Sequence, residues 1–128
     1  MNPKSLLVLS AITFVAAFNG RAQAAESPAT CVRVIEIEVD PAQLDNYTAA
    51  LKAEISASVS SEPGVLAIYA AAEKDHPSHL RLFELYADDA AYKTHQASQS
   101  FKTYRATTQK MILSRKLVDA VPVYLGTK

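Results

Sequence analysis

Residues 62–104 decide the fold, and they read EPGVLAIYAAAEKDHPSHLRLFELYADDAAYKTHQASQSFKTY. The Glu-Pro-Gly at the start of this stretch is a break between two elements of secondary structure. Residues 65–72 and 80–86 then read as two β-strands, because apolar and aromatic side chains dominate both and alternate with polar ones in the second. Residues 74–78 have the composition of a turn, which predicts that the two strands form a hairpin.

The second half of this stretch predicts two helical segments. Asp88 is a candidate N-cap for the first, and Asp89 adds negative charge in the first turn, where the helix dipole favours it. Ser98 is a candidate cap for a second segment after a kink, because a new apolar stripe begins three residues later. The residues of that stripe are Phe101, Tyr104, Thr108 and Met111.

The flanking sequence adds a strand and a helix before this stretch and an extended segment after it. Residues 32–39 alternate with period two and predict a strand. Asp40 and Pro41 predict the start of an amphipathic helix. Its apolar residues follow at spacings of three and four: Leu44, Tyr47, Leu51, Ile55 and Val59. Residues 116–125 predict a last extended segment, with Pro122 indicating an edge strand or an arm.

The predicted order of elements is strand, helix, strand, strand, helix, strand. The simplest α+β architecture for this order is a ferredoxin-like, four-stranded antiparallel sheet with its helices on one face. The other face of the sheet would then expose valine, leucine and aromatic side chains to water. Packing two such sheets face to face would cover them, so we predict a homodimer.

The N-terminal residues 1–24 have the features of a secretory signal peptide. Lys4 is followed by an apolar run over residues 6–18 and by Ala22-Gln23-Ala24, a small-residue pattern typical of a cleavage site. The apolar run is shorter than the roughly 20 residues that span a bilayer, so no membrane span is predicted in the mature protein. We therefore expect a periplasmic or secreted protein whose residues 25–128 form a single domain.

Charge and cysteine content exclude some classes of function. Removing Lys4 and Arg21 from the 13 basic residues leaves 11 against 13 acidic residues, a net charge of −2 with neutral histidines. Such a balance does not favour nucleic acid or an anionic membrane as a partner. Cys31 is the one cysteine of the sequence and cannot form an internal disulfide. It is predicted to be a partly buried strand residue.

The sequence resembles the antibiotic biosynthesis monooxygenase (ABM) domain, a branch of the dimeric α/β-barrel superfamily. The residues that carry the resemblance are Glu62-Pro63-Gly64, Tyr69, Phe83-Glu84-Leu85-Tyr86, Asp88, Ala91, His95, Ser98 and Phe101. It covers residues 32–125. The family includes cofactor-independent oxygenases that act on quinols and polyketide phenols, haem-degrading enzymes and proteins with no assigned activity.

The resemblance implies a pocket between the sheet and the second helix, with His95 lining it. His95 and Glu84 are the candidate catalytic residues, since histidine titrates nearest neutral pH and an inward glutamate could orient it. The candidate substrate-binding residues are all aromatic: Tyr69, Phe83, Tyr86, Tyr92, Phe101 and Tyr104. Phe83 and Tyr86 lie on opposite faces of one strand, so at least one of them points away from the pocket. A purely structural role, with His95 bonded to a carbonyl at the helix kink, remains the alternative.

Three functions are compatible with these residues. The first is a monooxygenase that oxidises a small quinol or phenol with dioxygen and uses no metal, flavin or other cofactor, with His95 as the base. The second is a periplasmic binder of small aromatic ligands without catalysis. The third is haem binding or breakdown with His95 on the iron, although the tryptophan of haem-degrading relatives is missing here. His76 and His79 are interpreted as solvated turn residues, because no acidic or cysteine cluster completes a metal site around them.

Overall fold

The structure, a computed structural model, describes residues 30–126 and residue 128. The predicted signal peptide, residues 1–24, lies outside the described residues. The elements are β1 (Cys31–Val39), a 3₁₀ turn (Pro41–Gln43), α1 (Leu44–Ser61), β2 (Val65–Ala72), β3 (His79–Tyr86), α2 (Asp89–Ala97), α3 (Gln99–Thr108) and β4 (Ile112–Ala120). Among these residues, no helix is both long enough and apolar enough to cross a membrane.

The four strands form one antiparallel sheet in the order β2-β3-β1-β4. Ile35 lies opposite Leu82, and Ile37 lies opposite Leu80. These four buried side chains point towards α1 and α3 and form the main core together with Leu51 of α1 and others. The ferredoxin-like α+β fold predicted from the order of elements is confirmed.

Asp88 and Ser98 cap α2 and α3 as predicted, whereas Asp40 caps the 3₁₀ turn that precedes α1. The Asp40 carboxylate accepts a hydrogen bond from the Ala42 amide at 2.9 Å, and Asp88 accepts one from the Ala91 amide at 2.7 Å. The hydroxyl of Ser98 accepts a bond from the Phe101 amide at 3.2 Å, where α2 ends and α3 begins. Each cap satisfies an amide that the first helical turn leaves without a partner.

The predicted bounds of the last strand and one residue of the predicted apolar stripe of α1 were wrong. The last strand runs over Ile112–Ala120 and not over residues 116–125. It ends before Pro122, which cannot donate a ladder hydrogen bond. On α1, Val59 is 47% exposed, whereas the buried side chains are Tyr47, Leu51, Glu54 and Ser58. The buried stripe therefore turns away from Val59 and takes in a carboxylate and a hydroxyl.

The face of the sheet away from the helices is partly apolar and open. Tyr69 and Phe83 pair across β2 and β3 and are 64% and 37% exposed. Val118 of β4 lies opposite Val34 of β1 on the same face and is 38% exposed. Large apolar side chains grouped on one face are typical of a surface that another molecule covers.

Candidate functional site

A cavity lies between the inner face of the sheet and the helices α1 and α3, and its volume is about 190 Å³. Aliphatic side chains of β1, β3 and α1 form its floor, and Phe101 and Tyr104 of α3 form an aromatic wall. Four charged residues also line it: Glu54, Glu84, Arg105 and Arg115. A mostly apolar cleft with a few polar groups is the usual form of a small-molecule site.

Glu84 brings a buried carboxyl group to the floor of the cavity. Its position in β3 places it on the inner face, opposite Arg33 of β1 and Ile68 of β2. The Tyr86 hydroxyl donates a hydrogen bond of 2.7 Å to the Glu84 carboxylate. Burial raises the pKa of Glu84, and the bond from Tyr86 opposes that shift only in part.

His95 lies behind this cavity and not on its surface. Its imidazole is 1% exposed and packs against the rings of Phe101 and Tyr86, with centroid distances of 4.8 and 5.4 Å. The Nε2 atom is 3.5 Å from Oε1 of Glu54, and the Nδ1 atom is 3.2 Å from Oε2 of Glu62. The expectation that His95 lines the pocket therefore needs correction. Glu54 of α1 and Glu62, the C-cap residue of α1, hold the imidazole behind the residues that line the cavity.

Glu54 connects His95 to the cavity. It lines the cavity and also accepts a hydrogen bond of 2.7 Å from the Ser58 hydroxyl, one turn further along α1. Burial raises the pKa of the Glu54 carboxyl, while the Ser58 bond and the adjacent His95 act in the opposite direction. A buried carboxyl beside an imidazole can take up a proton at one side and pass it on at the other.

The Glu62-Pro63-Gly64 segment positions α2 as well as ending α1. Glu62 binds His95, and a Cβ placed on Gly64 would come within 2.5 Å of the Ala91 Cβ. Ala91 and His95 are four residues apart and lie on the same face of α2. The segment thus contacts two successive turns of the helix that carries the imidazole.

Comparison with known proteins identifies the family. The sequence profile of the antibiotic biosynthesis monooxygenase family matches residues 30–107, more than half of the chain. The chain belongs to the antibiotic biosynthesis monooxygenase family. No curated protein matches the chain.

Solved structures share this ABM fold. A putative antibiotic biosynthesis monooxygenase from Bacteroides thetaiotaomicron is 46% identical, with a TM-score of 0.75, and the match covers 78% of this chain and 95% of that one. A putative monooxygenase from Lactobacillus acidophilus is 29% identical with a TM-score of 0.70, and the match covers 75% of this chain and 47% of that one. A putative antibiotic biosynthesis monooxygenase from Nitrosomonas europaea, 20% identical over 76% of this chain and 93% of its own, has a TM-score of 0.71 and shows the fold alone.

The ABM domain brings some of the predicted site residues together and separates others. Phe101 and Tyr104 line the cavity, and Tyr86 reaches it through Glu84. Tyr69 and Phe83 were predicted to line the pocket but lie on the opposite face of the sheet. The alternation of side chains along a strand points them away from the helices.

Tyr92 stands apart from the cavity of the ABM domain. Its ring packs against Tyr86 at a centroid distance of 5.1 Å, and the Arg33 guanidinium lies 4.4 Å above it. Arg33 also contacts Asp89 and Asp119 at 3.3 and 3.0 Å. Tyr92 therefore packs in a charged cluster beside α2. It does not line the cavity, so its predicted role in substrate binding was wrong.

Sequence reasoning missed four charged residues of the ABM site: Glu54, Glu62, Arg105 and Arg115. The spacing of Tyr47, Leu51 and Glu54 could have indicated that Glu54 continues the buried stripe of α1. No comparable signal marks the two arginines, because both are exposed residues on polar segments.

Both nitrogens of His95 face carboxylates, which bears on the haem hypothesis. An axial histidine ligand offers one free nitrogen to iron. The two contacts of His95, to Glu54 and Glu62, leave neither nitrogen directed into open space. In the range 30–126 and at residue 128, no group of three histidine, cysteine or acidic residues is arranged to hold a metal ion.

Proposed function

We propose that this protein is a monooxygenase that oxidises a small quinol or phenol with dioxygen and needs no cofactor. The observation that carries the proposal is the cavity bordered by Glu54, with His95 directly behind it at 3.5 Å. Membership of the family and the aromatic wall of Phe101 and Tyr104 support the same reading. The arrangement places an acid-base pair beside the space where an aromatic ring would lie.

The size of the cavity favours a substrate with a single ring. A cavity of about 150 Å³ lined by apolar side chains holds benzene. The cavity here has a volume of about 190 Å³, which leaves room for one ring with a few substituents. Phe101 and Tyr104 would contact the ring, and Glu84 would accept or donate a hydrogen bond at one hydroxyl.

The proposed reaction begins with loss of a proton from the substrate hydroxyl. The electron-rich anion then gives one electron to dioxygen, whose triplet state disfavours a direct two-electron reaction. The substrate radical and superoxide combine through a new C–O bond, and the O–O bond of the resulting peroxide breaks. One oxygen atom stays on the ring in place of a ring hydrogen, and the other leaves as water. One dioxygen thereby oxidises the quinol by four electrons, two for ring oxidation and two for oxygen insertion, and the products are a hydroxyquinone and water.

In this proposal the proton leaves the cavity through three side chains. Glu54 accepts the proton from the substrate and passes it to Nε2 of His95. Nδ1 of His95 then gives a proton to the Glu62 carboxylate. The side chains of Glu54 and His95 are 5% and 2% exposed, whereas that of Glu62 is 14% exposed. The path therefore runs from the cavity to Glu62, the most exposed of the three side chains.

Oxygen uptake by the mature protein tests the function. Small hydroquinones are offered in turn, with an autoxidation control without protein. We expect uptake above autoxidation, and His95→Ala should lower it by about 10²–10⁴-fold, the typical contribution of positioned acid-base catalysis. His79→Ala is the matched control, because His79 is 40% exposed on the hairpin and does not line the cavity.

The outcomes separate the oxygenase from a binding protein. Uptake that survives in His95→Ala would remove the histidine from the mechanism. Tight binding of hydroquinones without any uptake would show a binder of aromatic ligands, and the monooxygenase proposal would fail. A shift of the pH profile of the remaining rate in His95→Ala is expected, because a purely structural histidine would not move it.

The proposal includes a homodimer and export from the cytosol. The open apolar patch around Tyr69, Phe83 and Val118 supports pairing of two sheets. The features of residues 1–24 support export to the periplasm or beyond. A reaction that uses only dioxygen and the substrate would suit a compartment without cytosolic reductants.

A further inference from the structure

Two arginines from different elements reach the same cavity. Arg105 lies on α3 and Arg115 on β4, and both are exposed residues that line the cavity wall. The register of β4 with β1 places Arg115 opposite Ile37, on the inner face of the sheet. The Arg105 guanidinium lies 5.9 Å from the centre of the Phe101 ring. The cavity thus combines an aromatic wall with two cationic groups at its exposed side.

These arginines have no acidic partner in the described part of the chain. Arg33 and Arg81 each have a carboxylate within 4.0 Å, but no such ion pair involves Arg105 or Arg115. A guanidinium stays protonated at any physiological pH, and its planar donors match the geometry of a carboxylate. The mouth of the cavity therefore carries two guanidinium groups that form no salt bridge within the described residues, although Arg115 acts on the Glu84 carboxylate over a longer distance.

The acidic residues of the cavity do not cancel this charge at its mouth. Glu54 and Glu84 are 6% exposed each and lie deeper, where burial raises the pKa of both carboxyls. Each also has its own hydrogen-bond donor, Ser58 for Glu54 and Tyr86 for Glu84. A ligand with hydroxyls at one end and an anionic group at the other would match this arrangement. Its hydroxyls would meet the buried carboxyl groups, and its anionic group would meet the arginines at the mouth.

We propose that Arg105 and Arg115 form an anion subsite, and that the substrate is a single aromatic ring that carries a carboxylate as well as its reacting hydroxyls. The inference rests on the proposed function for the identity of the reacting ring. The ring lies against Phe101 and Tyr104, and the carboxylate points to the mouth. Arg105 and Arg115 thereby select acidic over neutral phenols.

Isothermal titration without oxygen tests the subsite through binding alone. The probes are 2,5-dihydroxybenzoate and its methyl ester, which has the same ring and hydroxyls without the charge. We expect the acid to bind at least about tenfold more tightly, the factor that one charge-assisted contact supplies. The preference should vanish in the variant with both Arg105→Gln and Arg115→Gln and persist in Lys102→Gln, an exposed cation of α3 that does not line the cavity.

Each result decides the inference. Equal binding of acid and ester, no binding of either, or an acid preference that survives in the double variant would overturn it. Binding of the ester by the double variant shows that its cavity is intact, so a lost preference then supports the subsite. Failure of the proposed function gives a different result. A preference for the acid that depends on the arginines, without oxygen uptake, would support the subsite and contradict the oxygenase. Oxygen uptake with neutral quinols alone would support the oxygenase and contradict the subsite.

Discussion

The Nε2 atom of His95 lies 3.5 Å from Oε1 of Glu54, and this contact links α2 to the middle of α1. Both side chains are almost fully buried. A carboxylate in such a place is stabilised by a cationic or donating neighbour, since an unpaired buried charge is costly. The contact also sets the order of groups from the cavity inwards, with Glu54 first and His95 second.

We predict that Glu54→Gln lowers oxygen uptake by about 10²-fold, within the range typical of a removed acid-base group. Glutamine keeps the size of the side chain and an acceptor for the Ser58 hydroxyl, but it cannot carry a proton. Initial rates with a hydroquinone measure the effect. Glu73→Gln, on the surface of the hairpin, is the control and should leave the rate unchanged. A normal rate in Glu54→Gln would contradict the proton path.

Glu84 makes the stability of the fold depend on pH. Burial raises its pKa in the folded state, so the folded protein binds more protons than the unfolded chain between about pH 4.3, the ordinary value, and the raised pKa. The contribution of Glu84 to stability is therefore full below the ordinary pKa, and it is lost as the pH rises through the raised one. Glu54 acts in the same direction.

Glu84→Gln should flatten this dependence. Each unit of pKa shift removed corresponds to about 1.4 kcal/mol of pH-dependent unfolding free energy. The amide oxygen of glutamine can still accept the bond from Tyr86. Urea unfolding between about pH 4 and pH 8 measures the slope. The role of Glu84 is contradicted if Glu84→Gln and the unaltered protein lose stability in parallel as the pH rises. It is also contradicted if Glu36→Gln, on the other face of the sheet, flattens the pH dependence equally.

The fold was predictable because its signals are local. Period-two alternation marks β1 and β3, and the caps Asp40, Asp88 and Ser98 mark where each helical segment begins. The start of β4 was missed because Ser114, Arg115 and Lys116 form a polar run that lacks the usual alternation of a strand. Arg115 of this run lines the cavity, so the exception to the pattern lies at the candidate site.

The site was only partly predictable because it depends on contacts between distant segments. Alternation places Phe83 and Tyr86 on opposite faces of β3, but only the packing of the helices decides that Tyr86 is the inner one. A glutamate on a helix is usually solvated. The spacing of Tyr47, Leu51 and Glu54 indicates that Glu54 continues the buried stripe of α1, but no local pattern in α1 indicates that its partner is His95 on another helix.

Phe83→Glu is predicted to weaken the proposed homodimer. Phe83 lies on the open face of the sheet, and a dimer would bury it near Tyr69 and Val118. A buried carboxylate without a partner costs several kcal/mol, so the dissociation constant should rise by more than about tenfold. Sedimentation equilibrium measures the mass of the assembly. Val59→Glu, at an exposed position of α1, should leave it unchanged. A Phe83→Glu protein of undiminished mass would rule out this face as the interface.

Gly64→Ala is predicted to destabilise the fold and to displace α2. A Cβ on Gly64 would lie 2.5 Å from that of Ala91, so the helix must move or the chain must strain. Overpacking of this kind typically costs about 1–3 kcal/mol. Oxygen uptake should fall as well, because the same turn binds His95 through Glu62.

A double-mutant cycle isolates this contact between Gly64 and Ala91. Ala91→Gly removes the methyl group that the new Cβ would meet, so Gly64→Ala should cost less unfolding free energy in that background. The matched background is Ala90→Gly, which carries the same glycine in the first turn of α2 at an exposed position. Urea unfolding of the single and double variants gives the coupling. If Gly64→Ala costs the same in both backgrounds, the close approach of the Glu62-Pro63-Gly64 segment does not hold α2 in place, and another contact must position His95.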